Sequence, residues 1–101
     1  MSIASARWFD IVVSLGCVVG RRHGGCSGAV EVHHIAAGSG GRSDFSVAPL
    51  CGEHHRGAAG FHGMGGKSFI RLYRPPGDSE YGLLVWVNED LAKSMQARRA
   101  A

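Results

Sequence analysis

The side chains able to do chemistry are concentrated in one stretch: residues 31–63 hold five of the six histidines and one of the three cysteines of this 101-residue chain. It reads Glu31-Val32-His33-His34-Ile35, a Gly/Ser-rich loop, Ala48-Pro49-Leu50-Cys51-Gly52-Glu53-His54-His55-Arg56-Gly57, and Gly60-Phe61-His62-Gly63. Two adjacent histidine pairs and a Cys-x-x-His form a donor set suited to soft and borderline metal ions. On one helical turn Cys51 and His54 face a single tetrahedral ion, whereas His55 is rotated about 100° from His54. The two neighbours therefore serve different ions. The first is a structural zinc centred on Cys51 and His54, completed by Cys17 and one more ligand from the segment that follows it.

The second ion takes His55. A continuous helix would separate His55 and His62 by about 10 Å along its axis, but Gly57 and Gly60 interrupt it and let the chain turn back. His33, His55 and His62 then leave open coordination positions for water or substrate, as a catalytic site requires. Neighbours in a regular strand point to opposite faces, so a bulge or a strand end is expected at His33-His34. A free imidazole beside an open metal site is suited to deprotonating water near neutral pH. With cationic surroundings, the natural substrate is a phosphodiester.

The elements that must hold these residues are short. Trp8, Ile11, Val12 and Leu15 form the stripe of an amphipathic helix over residues 5–15, with Gly16 as its C′ residue. The segment from Cys17 to Cys26 is punctuated by glycine and reads as a knuckle or loose hairpin rather than a helix. Strand patterns cover residues 29–33 and 45–50, joined by a loop containing Gly38 to Gly41. A helical turn runs to Arg56, and a second short helix over residues 67–73 carries Phe69, Ile70, Leu72 and Tyr73 toward the core. Residues 82–87 are a buried strand or the start of a helix, after which Asn88 looks like an N-cap with Leu91, Ala92 and Met95 inward. The Arg98-Arg99 end is solvated.

Length implies one domain, residues 1–101, near the size at which a metal staple adds useful stability. Sixteen glycines favour a loop-rich, metal-organised fold. A net charge of +3, with nine of the eleven basic residues arginine, admits a nucleic-acid partner. No apolar run approaches the roughly 18 residues that span a bilayer, so a soluble cytoplasmic protein without a membrane partner is expected. Three cysteines among histidines fit thiolates on a metal better than disulfides.

The order His-His-Ile, Gly-rich loop, Pro-Leu-Cys-x-x-His-His-Arg-Gly, Gly-x-His-Gly and Lys-x-Phe resembles the HNH (ββα-metal, His-Me finger) endonucleases, and within them the phage recombination-enhancement, RecA-dependent nucleases. The similarity spans roughly residues 15–73. It implies an α+β fold, a small zinc-supported ββα-metal finger with flanking helices. It also implies a metal-dependent DNA endonuclease with His34 as general base, His33, His55 and His62 holding a catalytic divalent ion (Mg, Mn, Ni or Zn), and a 5′-phosphate product. Ser46, or the nearby Asp44, would orient His34. Gly20 stands where the family's knuckle carries its second cysteine; either Cys26 replaces it, with His23 as a spare ligand, or the zinc site is lost. Arg42, Arg56 and Lys67 are the candidate phosphate contacts. The implied setting is phage or prophage recombination in a bacterial cytoplasm, with DNA and a RecA-type filament as partners. A reading of another class is a non-catalytic, zinc-stabilised module that grips DNA or a recombinase.

Overall fold

In a computed structural model, which describes residues 1–35 and 42–100, helices flank one pair of strands. The order is α1 (Ile3–Ser14), α2 (Gly20–His23), β1 (Val30–His34), β2 (Val47–Cys51), α3 (Gly52–Arg56), α4 (Phe61–Met64), α5 (Gly66–Tyr73) and α6 (Gly82–Ala100). The strands pair antiparallel, with His33 opposite Ala48 and His34 opposite Val47. The fold class is α+β, as expected. Residues 38–41 lie outside the described residues.

Each element has a local cause. Ser2 caps α1, its hydroxyl accepting the Ser5 N–H at 3.0 Å, and Gly16 leaves the helix at φ +83°, a conformation that favours glycine. Every residue of β2 is buried, because α1 and α6 both pack on it, and this accounts for the apolar run Val47 to Leu50. Pro49 is tolerated in a two-stranded sheet, where its missing N–H leaves no inner ladder unpaired. Its carbonyl accepts the Val18 N–H at 3.1 Å and so docks the Cys17 segment beside Cys51. The core gathers Val18, Leu50, Phe69, Leu83 and Trp86 between strands and helices. Full burial of such side chains is worth about 1.5–3 kcal/mol each.

Several expectations are corrected. In α1 Val12 and Leu15 are buried, but Ile11 is exposed. The Cys17–Cys26 segment contains a helical turn, α2, despite its glycines. Leu72 is exposed while Phe69 and Ile70 are buried. Of the two alternatives for residues 82–87 the helix start holds, since they begin α6, but Asn88 lies inside that helix instead of capping it. The face of α6 turned to the core is Leu83, Trp86, Val87 and Asp90, leaving Ala92 and Met95 outward. Asp90 is 2% exposed and takes both Arg22 Nη atoms, at 2.9 and 3.1 Å. Arg22 also lies over the Trp86 ring, 4.8 Å from its centroid. Removing either partner of such a buried pair costs about 3–5 kcal/mol.

Candidate metal centres

The junction of β2 and α3 builds the first centre. Cys51 ends the strand and caps the helix, its Sγ accepting the His54 N–H at 3.4 Å. Cys17 follows α1, and its Sγ accepts the Gly20 N–H at 3.3 Å. The loop carrying Cys26 is tied to α3 by the Glu53 N–H donating to Ser27 O at 2.9 Å. The Nδ1 of His54 then lies 3.5, 3.8 and 3.2 Å from the sulfurs of Cys17, Cys26 and Cys51. Tetrahedral zinc with bonds near 2.0 Å to nitrogen and 2.3 Å to sulfur would set these separations at about 3.6 Å. The donor set fits zinc.

Gly20 explains how the centre closes without a second knuckle cysteine there. A Cβ on residue 20 would overlap the sulfur of Cys26. Cys26 therefore fills the space that a side chain at position 20 would take. His23 is exposed and stacks near Tyr73 and Trp86, apart from the cluster. No disulfide links the three thiols. The Cys26 thiol is pushed up to about 12 by burial, by its hydrogen bond to Cys51 and by the charge of Cys17. Burial also opposes ionisation of Cys51, but the His54 and Ser27 N–H groups and the other two thiols outweigh it and lower its pKa. A metal ion takes thiolates, so binding here would draw off the proton that the Cys26 thiol otherwise keeps.

The second centre joins β1, α3 and α4. His33, His55 and His62 bring donor atoms within 4.8 Å of one another, with ring centroids 4.9–5.3 Å apart. The turn that returns His62 depends on backbone contact. A Cβ on Gly60 would meet the Glu53 carbonyl, and one on Gly63 would overlap the Gly57 carbonyl. Glu53 Oε1 accepts the Ala59 N–H at 3.1 Å and pins the same turn. Burial lowers His33 to about 4, helped by positive charge at His55, His62, His34 and Arg42. His62 is lowered by burial, then by His55 and Arg42. Neutral rings are what a metal ion requires. The Nε2 of His33 is buried and makes no hydrogen bond among the described residues, with Glu80 Oε2 3.5 Å away.

Carboxylates surround this centre. Glu31, two residues before His33 on the same strand face, accepts from His55 Nδ1 at 2.8 Å and from both Nε and Nη2 of Arg56. That bond leaves His55 Nε2 as its lone-pair nitrogen. Arg56 is thus engaged with Glu31, although its side chain stays largely exposed. The sequence reading passed over Glu31, yet its signal was the two-residue spacing to His33.

The strand ends at His34 without a bulge, so the two adjacent rings take opposite faces. His34 packs edge-on against Phe9, with ring centroids 5.7 Å apart, and its Nε2 is 3.0 Å from Asp44 Oδ1. Its partner is therefore Asp44, whose own carboxyl is lowered by the His34 hydrogen bond and by Ser5. Ser46 instead uses its carbonyl to accept the Ile35 N–H at 2.8 Å, and no side-chain bond joins it to His34. Opposed faces do not separate the histidines completely. A cavity of about 420 Å³ is lined by His33, His34, His55 and His62 together with Arg42 and Glu80. Lys67 lies outside it, on a neighbouring groove that shares Phe61 and Glu80.

A family model described as "Recombination enhancement, RecA-dependent nuclease" matches residues 3–94. The chain belongs to this nuclease family. No curated protein and no solved structure matches it. Membership in the RecA-dependent nucleases gives the chain a nuclease role in recombination. The matched span takes in α1 and most of α6 as well as both candidate metal centres. No described helix of this RecA-dependent nuclease is long and apolar enough to cross a membrane.

Proposed function

We propose that the chain is a metal-dependent DNA endonuclease of the HNH type, a single domain whose core motif covers residues 15–73. The observation that carries the reading is the cavity in which His33, His55 and His62 converge while His34 lines the same wall. A divalent ion held by the three histidines would stabilise negative charge developing on the phosphate and its leaving oxygen. His34 takes the proton of the attacking water on Nδ1, because Asp44 accepts the proton on Nε2 at 3.0 Å. Asp44 thereby holds the ring's tautomer, the role for which Ser46 was the other candidate. Arg42, exposed at the cavity, attracts the phosphate; Lys67 on the adjoining groove extends that cationic path. Arg56 contributes less, since Glu31 already neutralises it.

The Cys17, Cys26, Cys51 and His54 centre holds zinc and fastens the scaffold. The working setting is a bacterial cytoplasm, with the gene carried by phage or prophage and a RecA-type filament presenting the DNA. The deciding experiment incubates the protein with single-stranded and duplex DNA, with and without recombinase filament, across Mg, Mn, Ni and Zn. The expected result is metal-dependent cleavage leaving 5′-phosphates, at its highest with the filament. A protein that binds DNA in this assay but cuts no strand with any ion is a non-catalytic binding module.

A further inference from the structure

The segment between α5 and α6 lies beyond both strands and the α3–α4 turn, yet it delivers one carboxylate to the three-histidine cavity. Glu80 lines that cavity, and its side chain is only 15% exposed. Its Oε2 lies 3.5 Å from the Nε2 of His33, an ion-pair contact that is longer than a formed hydrogen bond and would have to tighten when the centre is loaded. The main chain holds the residue that carries it. Leu83 N–H donates to Glu80 O at 3.0 Å and Gly82 N–H to Ser79 O at 2.9 Å, so residue 80 is held by the first turn of α6. Leu83 itself is fully buried in the core.

We propose that Glu80 is a positioning residue of the three-histidine centre, accepting the Nε2 proton of His33 and thereby presenting Nδ1 to a divalent ion. The proposal rests on His33 being a metal ligand. A neutral imidazole has one N–H and one lone pair, and the partner of one nitrogen decides which is which. Glu80 acts through His33 and not on the ion. The donors within 4.8 Å of one another are those of His33, His55 and His62, and Glu80 is not in that set. His55 shows the same device at its other nitrogen, with Glu31 on Nδ1 at 2.8 Å. Two of the three rings would then lean on carboxylates, which orient a ligand and raise its basicity. One carboxylate comes from β1 and the other from the base of α6, so the open centre is braced from two parts of the chain.

The test uses the full chain with zinc in the cysteine centre. Long-range proton–nitrogen NMR of the imidazoles reads the tautomer of His33, and titration with Mn²⁺ reads the affinity of the second centre. The expected wild-type ring carries its proton on Nε2. Glu80→Ala should weaken Mn²⁺ binding by about 10–100-fold, and Glu80→Gln should recover part of the loss because its amide oxygen still accepts a hydrogen bond. Thermal unfolding and zinc content should stay as in the wild type. A proton on Nδ1 of His33 in the wild type would overturn the proposal, as would Mn²⁺ affinity in Glu80→Ala equal to wild type. A wild type that binds no second ion would remove the ligand reading of His33 and this proposal with it. If Glu80→Ala fails to fold, the wild-type tautomer and the Glu80→Gln affinity still decide.

Discussion

His54 and His55 are neighbours on the same turn of α3, yet they belong to centres of opposite character. His54 is 3% exposed and meets three sulfurs, two of which accept backbone N–H bonds. His55 meets two other imidazoles at a cavity and has a carboxylate behind it. The rotation of about 100° between successive helical residues sends them to different sides. What differs afterwards is supply. Three thiols close the first set with four donors, whereas the second has three donors and a space beside it. A closed set belongs to folding, and an open one is suited to reaction.

The sharpest way to break this contrast is to remove a ligand from each side. Cys26→Ser should lose tightly bound zinc and with it most of the fold, since a structural zinc can supply about 10–16 kcal/mol of binding free energy to folding. Circular dichroism and metal content measure this. His62→Ala should leave both nearly unchanged, abolish cleavage, and keep DNA affinity at fixed salt within about tenfold, because the phosphate contacts remain. Equal melting losses in the two variants would erase the distinction between the centres. His34→Ala comes next. Turnover should fall by about two to four orders of magnitude with folding intact, the usual worth of a positioned general base; full activity in that variant would remove His34 from the mechanism.

A smaller effect sharpens the closed side. Gly20→Ala places a methyl group where the Cys26 sulfur sits, so it should loosen the centre without deleting a ligand. The expected loss is about 1–3 kcal/mol of stability, the range for overpacking, read as a lower zinc affinity and melting temperature. Wild-type values would mean that Cys26 is held elsewhere in solution.

How much of this was legible follows from the range of the interactions. The Cys51/His54 pair, the Gly57 and Gly60 break and the convergence of His33, His55 and His62 follow from local spacing, and the structure brings those residues together. The Asn88 cap and the inward Ala92 and Met95 of α6 were misplaced for a long-range reason. Asp90 sits on its buried face because Arg22, 68 residues away, pairs with it, and a charged residue there hides the apolar period of Leu83, Trp86 and Val87. Ile11 and Leu72 fit helical stripes but fall at their edges, where only the packed neighbours decide burial. Asp44 entered only through the family resemblance, as the alternative to Ser46, and Glu80 reaches its histidine from a separate segment that no spacing rule connects.

The smallest expected effect concerns the carboxylate behind the open centre. The Glu31 carboxyl is lowered from 4.5 to about 2, first by the Arg56 hydrogen bonds and then by His55. A depressed folded-state pKa stabilises the fold at pH values above the unfolded one, and that contribution is lost as pH falls toward the folded value. The window is therefore from about 4.5 down to about 2. Glu31→Gln should remove a modest stabilisation that is constant between neutral pH and about pH 5, and the gap between wild type and variant should close only below that. Because Glu31 is partly exposed, salt should shrink the same gap by screening. Urea unfolding of both proteins with zinc present, at several pH values, measures it. A gap that already changes between pH 8 and pH 6 would mean that the bond to Arg56 is not what sets the contribution of Glu31. The open centre would then be held mainly by its histidines.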